Sequence, residues 1–103
     1  NELTGSIPPE IGNMTNLSLF MLYSNELTGS IPPEIGNMTN LRYLGLSSNQ
    51  LTGEIPESIC DLNIEWIGFM NDYYSGISEN QLCPPYPSCI EEYVGEQDTS
   101  NCD

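Results

Sequence analysis

The chain has 103 residues, of which 38% are hydrophobic, and its fifteen acidic residues face a single basic one, Arg42, for a formal charge of −14. That balance excludes nucleic acid and anionic membrane surfaces as partners, because both need clustered Lys and Arg. No apolar run reaches the ~20 residues of a membrane-spanning helix, and the apolar content does not suit one large spherical core.

A repeat solves the core problem. Residues 1–17, NELTGSIPPEIGNMTNL, recur without change at 25–41, and the 24-residue register resumes at Asn49 with NQLTGEIPESICDL. A fixed period of this length predicts a solenoid in which each coil buries its apolar side against its neighbours.

The chain opens with Asn1, and Asn25, Asn49 and Asn80 occupy the same place in later coils. An asparagine at a sharp turn can satisfy backbone groups that the turn leaves unpaired, so a buried ladder is expected. Leu3, Leu27 and Leu51 follow as core residues. Thr-Gly-x-Ile-Pro comes next at 4–8, 28–32 and 52–56. Its glycines permit a tight bend, its isoleucines (Ile7, Ile31, Ile55) point inward, and its proline stops regular pairing. Short helical or 3₁₀ turns over Pro-Glu-Ile-Gly-Asn then close the convex side and bury Ile11, Ile35 and Ile59. The Leu-x-Leu alternation of Leu41, Leu44 and Leu46, matched by Leu17, Phe20 and Leu22, predicts strands paired in parallel about 4.8 Å apart.

The pattern L-x-x-L-x-L-x-x-N-x-L-x-G-x-I-P, present in three registered copies, resembles the plant-type leucine-rich repeats of receptor-kinase ectodomains and polygalacturonase-inhibiting proteins. The run from Asn80 to Cys102 is similar to the C-terminal cap of secreted bacterial or environmental proteins of the same kind. The resemblance implies an α/β solenoid with a parallel β-sheet on its concave face and helical or 3₁₀ turns on its convex face. Residues 1–59 read as repeats, and 60–103 as an enlarged last repeat with a cysteine-rich cap.

The last unit departs from the period, since Asn49 to Asn80 is 31 residues, an insertion of seven. Its aromatic stretch, with Trp66 and Phe69, is placed to cover the end of the stack. Cys60, Cys83, Cys89 and Cys102 form an even set in this loop-rich end, which reads as two disulfides and an oxidising, extracellular compartment. Tyr86-Pro87 aligns with Ile55-Pro56, so Cys89 falls near the stack position of Ser58, two residues from Cys60. That register favours Cys60–Cys89 and Cys83–Cys102 among the three pairings open to four cysteines.

Chemistry is harder to find. There is no histidine to serve a nucleophilic triad or a zinc site, and every thiol is accounted for by a disulfide. The expectation is a protein with no enzymatic activity, no cofactor and no metal. Columns of glutamate (Glu10, Glu34, Glu57) read as a solvated face more readily than as a calcium site. Sequons at Asn13, Asn16 and Asn37 are candidate glycosylation sites.

The two near-identical coils point to a binding surface. Residues 1–24 and 25–48 differ at five positions, 18, 19, 20, 21 and 23 against 42, 43, 44, 45 and 47. All but the Phe20/Leu44 pair face outward on the concave strands, the surface that solenoids use for ligands. Leu19, Met21, Tyr23, Arg42, Tyr43, Tyr73 and Tyr74 are the candidate site residues, an apolar-aromatic patch suited to a protein or peptide, with carbohydrate as a further class. A competing expectation is structural: the bare apolar edge of the first coil suggests part of a longer array, or self-association of the chain into filaments or a surface layer. The Thr4, Thr28, Thr52 column adds ice as a remote candidate.

Overall fold

The computed structural model describes residues 3–66 and 75–102. Strands β1 (Thr4–Ser6), β2 (Leu19–Met21), β3 (Glu26–Thr28), β4 (Tyr43–Gly45), β5 (Thr52–Glu54) and β6 (Gln81–Cys83) alternate with 3₁₀ turns at Pro9–Asn13, Pro33–Asn37, Glu57–Asp61 and Glu91–Tyr93. This is the expected α/β solenoid, its convex side made of 3₁₀ turns. The first two turns begin at Pro9 and Pro33, whose missing N–H would have had no partner at that position.

The concave sheet pairs β2 with β4 in parallel, Leu19 opposite Tyr43, Phe20 opposite Leu44 and Met21 opposite Gly45. A bridge from Gly45 to Gly76 carries the pairing into the third coil. There the Ser75 hydroxyl accepts from Leu44 N–H at 2.9 Å, so a side chain stands in for a backbone acceptor.

A second set of parallel pairs, not expected from the sequence, lies just beyond the asparagine turn. β1 pairs with β3 and β5 with β6. The Thr-Gly-Ser and Thr-Gly-Glu segments, read as bends, are therefore also strands. Gly5 in β1 and Gly53 in β5 reconcile the two descriptions: their φ values of +86° and +77° let each strand turn sharply where only glycine is unstrained.

The core is one continuous column. Leu27, Ile31, Ile35, Met38, Leu41, Leu44, Leu46, Leu51, Ile55, Ile59, Ile77, Leu82, Ile90 and Val94 are all buried. The convex turns stack closely: a Cβ on Gly36 would lie 2.5 Å from Ser58 Cβ and 2.9 Å from Ser58 O, so glycine sets that approach. Leu3 departs from expectation. It is exposed, because no described segment packs on the outer side of the first coil.

The asparagine ladder is present. Asn49 Oδ1 accepts from Leu27 N–H at 3.1 Å, while its Nδ2 donates to Leu22 O, Leu46 O and Ser47 O at 2.9, 3.1 and 3.3 Å. Asn80 repeats the pattern with Leu51 N–H, Leu46 O, Ile77 O and Ser78 O. Asn25 accepts from Leu3 N–H and donates to Leu22 O and Tyr23 O. Asn1 lies outside the described residues. A further rung was missed in the sequence. Gln97 Oε1 accepts from Leu82 N–H at 3.1 Å, and its Nε2 donates to Ile77 O and Val94 O at 2.8 and 2.9 Å. Val94-x-x-Gln97 has the spacing of Leu46-x-x-Asn49, but glutamine in place of asparagine and a 17-residue separation from Asn80 hid it.

Disulfides join Cys60 to Cys89 and Cys83 to Cys102, with Cα atoms 5.7 and 5.8 Å apart. The pairing is the one the register favours. Trp66 is half-buried against the core and stacks on Tyr93, ring centroids 6.1 Å apart and planes within 13°. Phe69 lies outside the described residues.

Candidate functional site

The concave strands place alternate side chains outward, so each candidate position recurs one coil away along the solenoid axis. Leu19 and Tyr43 are lateral neighbours on β2 and β4. Leu19 is 38% exposed, and Met21, Tyr23 and Tyr43 are half-buried.

Gly45 explains how the patch is assembled. A Cβ there would meet Tyr23 Cζ at 2.5 Å and Met21 Sδ at 2.6 Å. Both first-coil side chains thus lean across the glycine of the second coil and make one surface with Tyr43. One coil further on, a Cβ on Gly76 would lie 2.7 Å from Ser47 Oγ, so the smaller serine of that column leans over in the same way. Ser78 Oγ donates to Ser47 Oγ at 3.2 Å, and Ser48 Oγ donates to Glu79 Oε1 at 2.7 Å. The patch therefore grades from apolar and aromatic on the first two coils to hydroxyl-lined on the third.

Arg42 sits at the entry to β4, where its guanidinium donates to the Glu65 carboxylate. That hydrogen bond, with the neighbouring negative charge, raises the Arg42 pKa above its ordinary value. Glu65 N–H donates to Arg42 O at 2.8 Å, which puts Glu65 beside Arg42 in the stack. Tyr73 and Tyr74 lie outside the described residues. Thr39, Asn40, Leu41, Arg42, Asn63 and Glu65 border a polar cavity of about 430 Å³ here.

Asn13, Asn16 and Asn37 are exposed, Asn13 and Asn37 at the ends of convex turns. Among the described residues, no three acidic or cysteine side chains converge as a metal site would require. No described helix is long and apolar enough to cross a membrane.

The coil geometry, the asparagine ladder and the paired sheets define the protein: the chain is a leucine-rich repeat solenoid of the plant, 24-residue type. A family model described as Leucine Rich Repeat matches residues 16–38 and 40–62. Among solved structures it is similar to the plant peptide hormone receptor RGFR1 in complex with RGF2, at 47% identity over 80% of this chain and 12% of that one, TM-score 0.69. It is similar also to the BIR3–SERK2 complex from Arabidopsis thaliana, at 31% identity over 90% of this chain and 46% of that one, TM-score 0.74. A plant ice-binding protein matches at 33% identity over 79% of this chain and 24% of that one, TM-score 0.63. The chain thus spans less than half the length of each of these relatives. Comparison with curated protein sequences found no match. Neither carbohydrate binding nor self-association finds support in these relatives.

Proposed function

We propose that the chain is part of a non-catalytic, extracellular binding scaffold that holds a protein or peptide on its concave strand face. The observation that carries this reading is the merging of Leu19, Met21, Tyr23 and Tyr43 into one surface across Gly45. Apolar and aromatic side chains at adjacent outward positions, supported on paired strands, supply contact area at low entropic cost. The two near-identical coils differ at this surface and hardly elsewhere. The receptor RGFR1, bound to RGF2, is a relative that works with a peptide hormone, and the two disulfides suit an oxidising compartment. Tyr73 and Tyr74 belong to the same proposed face by sequence register.

Panning a displayed random-peptide library on the native chain and on a Leu19→Ser/Tyr43→Ala variant tests the proposal. Peptides enriched on the native chain should lose at least about tenfold in affinity on the variant, the scale of a lost interface anchor. Enriched peptides that bind both proteins equally would remove the concave face from consideration, provided the two proteins unfold at similar temperatures.

A further inference from the structure

We infer that the occupant of the concave face is an extended, cationic peptide segment whose apolar side chains alternate with basic ones. The inference rests on the concave-face reading above and adds the ligand's charge and shape.

Charge carries the first half. Arg42 is the only Lys or Arg among 103 residues and there is no histidine, so no other side chain can meet a ligand carboxylate with an opposite charge. Arg42 is itself engaged by Glu65. A ligand acid arriving at this face would have to compete with Glu65 for that guanidinium, in the field of fourteen further carboxylates. A basic ligand meets the opposite situation. The described strands of this face run between two carboxylates, Glu65 beside the strand entry and Glu79 just past the strand exit, where Glu79 is exposed. Complementary charge of this kind steers encounter and penalises partners of the wrong sign.

Shape carries the second half. Gly45 and Gly76 are bridged to each other, and the side chains that lean over them, Met21, Tyr23 and Ser47, come from the preceding coil. The result is a low surface running along the solenoid axis and not a pit. An extended peptide advances about 3.3 Å per residue with side chains alternating between its two sides. Laid along the coils, it puts every second side chain on the Leu19–Met21–Tyr23–Tyr43 surface and turns the others to the opposite side, from which only long basic side chains can reach back to the carboxylates flanking the strands.

Three labelled peptides of equal length test this, alternating leucine with arginine, with serine or with glutamate. Fluorescence anisotropy against the intact, disulfide-bonded chain should show the arginine peptide binding at least about tenfold more tightly than the serine peptide, with no binding of the glutamate peptide. Leu19→Ser/Tyr43→Ala should abolish binding of the arginine peptide. Arg42→Gln should tighten it roughly threefold by baring Glu65. Glu10→Gln/Glu57→Gln, on the convex side, should leave it unchanged. If the serine or glutamate peptide binds as tightly as the arginine peptide and loses binding on Leu19→Ser/Tyr43→Ala, the charge inference falls and the concave-face reading stands. If the arginine peptide keeps its affinity on Leu19→Ser/Tyr43→Ala but loses it on Glu10→Gln/Glu57→Gln, it adsorbs to the acidic surface elsewhere and both fall. If none of the three binds, the inference falls, and library panning still decides the reading beneath it.

Discussion

The first and second coils share seventeen consecutive residues, yet the same side chains live in different surroundings. Met14 is 52% exposed and Met38 is fully buried; Leu3 is 52% exposed and Leu27 only 5%. The second coil is sandwiched between two others, whereas the first has a described neighbour on one side only. At these two positions burial is thus set by the neighbouring coil and not by the local sequence.

The largest test of that difference is a matched pair of truncations. Met38→Ala should cost about 2–5 kcal/mol, the range for a buried large-to-small change. Met14→Ala, at the identical sequence position, should stay within about 0.5 kcal/mol. Urea denaturation of both variants measures the contrast, and equal losses would mean that the first coil is covered in solution. Next in size is the far end of the stack, which is stapled where the first coil is open. Replacing Cys60 and Cys89 by serine should lower stability by about 2–4 kcal/mol, read by the same titration.

The ladder offers a finer contrast. Asn49 makes four hydrogen bonds across two coils, so Asn49→Ala leaves Leu27 N–H and buried carbonyls unpaired. The expected cost is about 1–3 kcal/mol. Asn25→Ala should cost less, because its bonds lie in a half-exposed part of the first coil. Thermal unfolding of the pair ranks them. Smallest is the tail, where Ser100 Oγ and N–H donate to Asp98 and lower its pKa from the ordinary 3.8, the hydroxyl contributing most. A carboxylate with a depressed folded pKa stabilises its turn fully above the unfolded value, and that contribution vanishes as pH falls through the folded one. NMR line shapes at Ser100 should therefore change below pH 3.8 in the native chain, and Asp98→Asn should remove that transition.

Much of the fold was legible in the residues because the repeat is its own alignment. Asn25, Asn49 and Asn80, the inward Leu and Ile columns and the short convex turns follow from register, which also favours the two disulfides that form without excluding the other pairings. Register failed where the period broke. Glu65 stands beside Arg42, a contact that the 24-residue register does not give. Gln97 was invisible because its coil is shortened. The paired strands at Thr4–Ser6, Glu26–Thr28, Thr52–Glu54 and Gln81–Cys83 were hidden because each is only three residues long, two of them carry a Thr-Gly that reads locally as a bend, and only a neighbour one coil away supplies their hydrogen-bond partners.

The candidate face divides in the same way. Comparing two coils located the variable outward positions without any coordinates, because everything else in the pair is constant. That Met21 and Tyr23 lie across Gly45, and that Arg42 is taken up by Glu65, could not be read from either coil alone. Periodicity determines which side chains face inward, since strand and turn geometry repeats with the sequence. What those side chains meet is decided between coils, where residues about 24 or more positions apart are brought within a few ångströms, and that is the level at which this protein's binding surface exists.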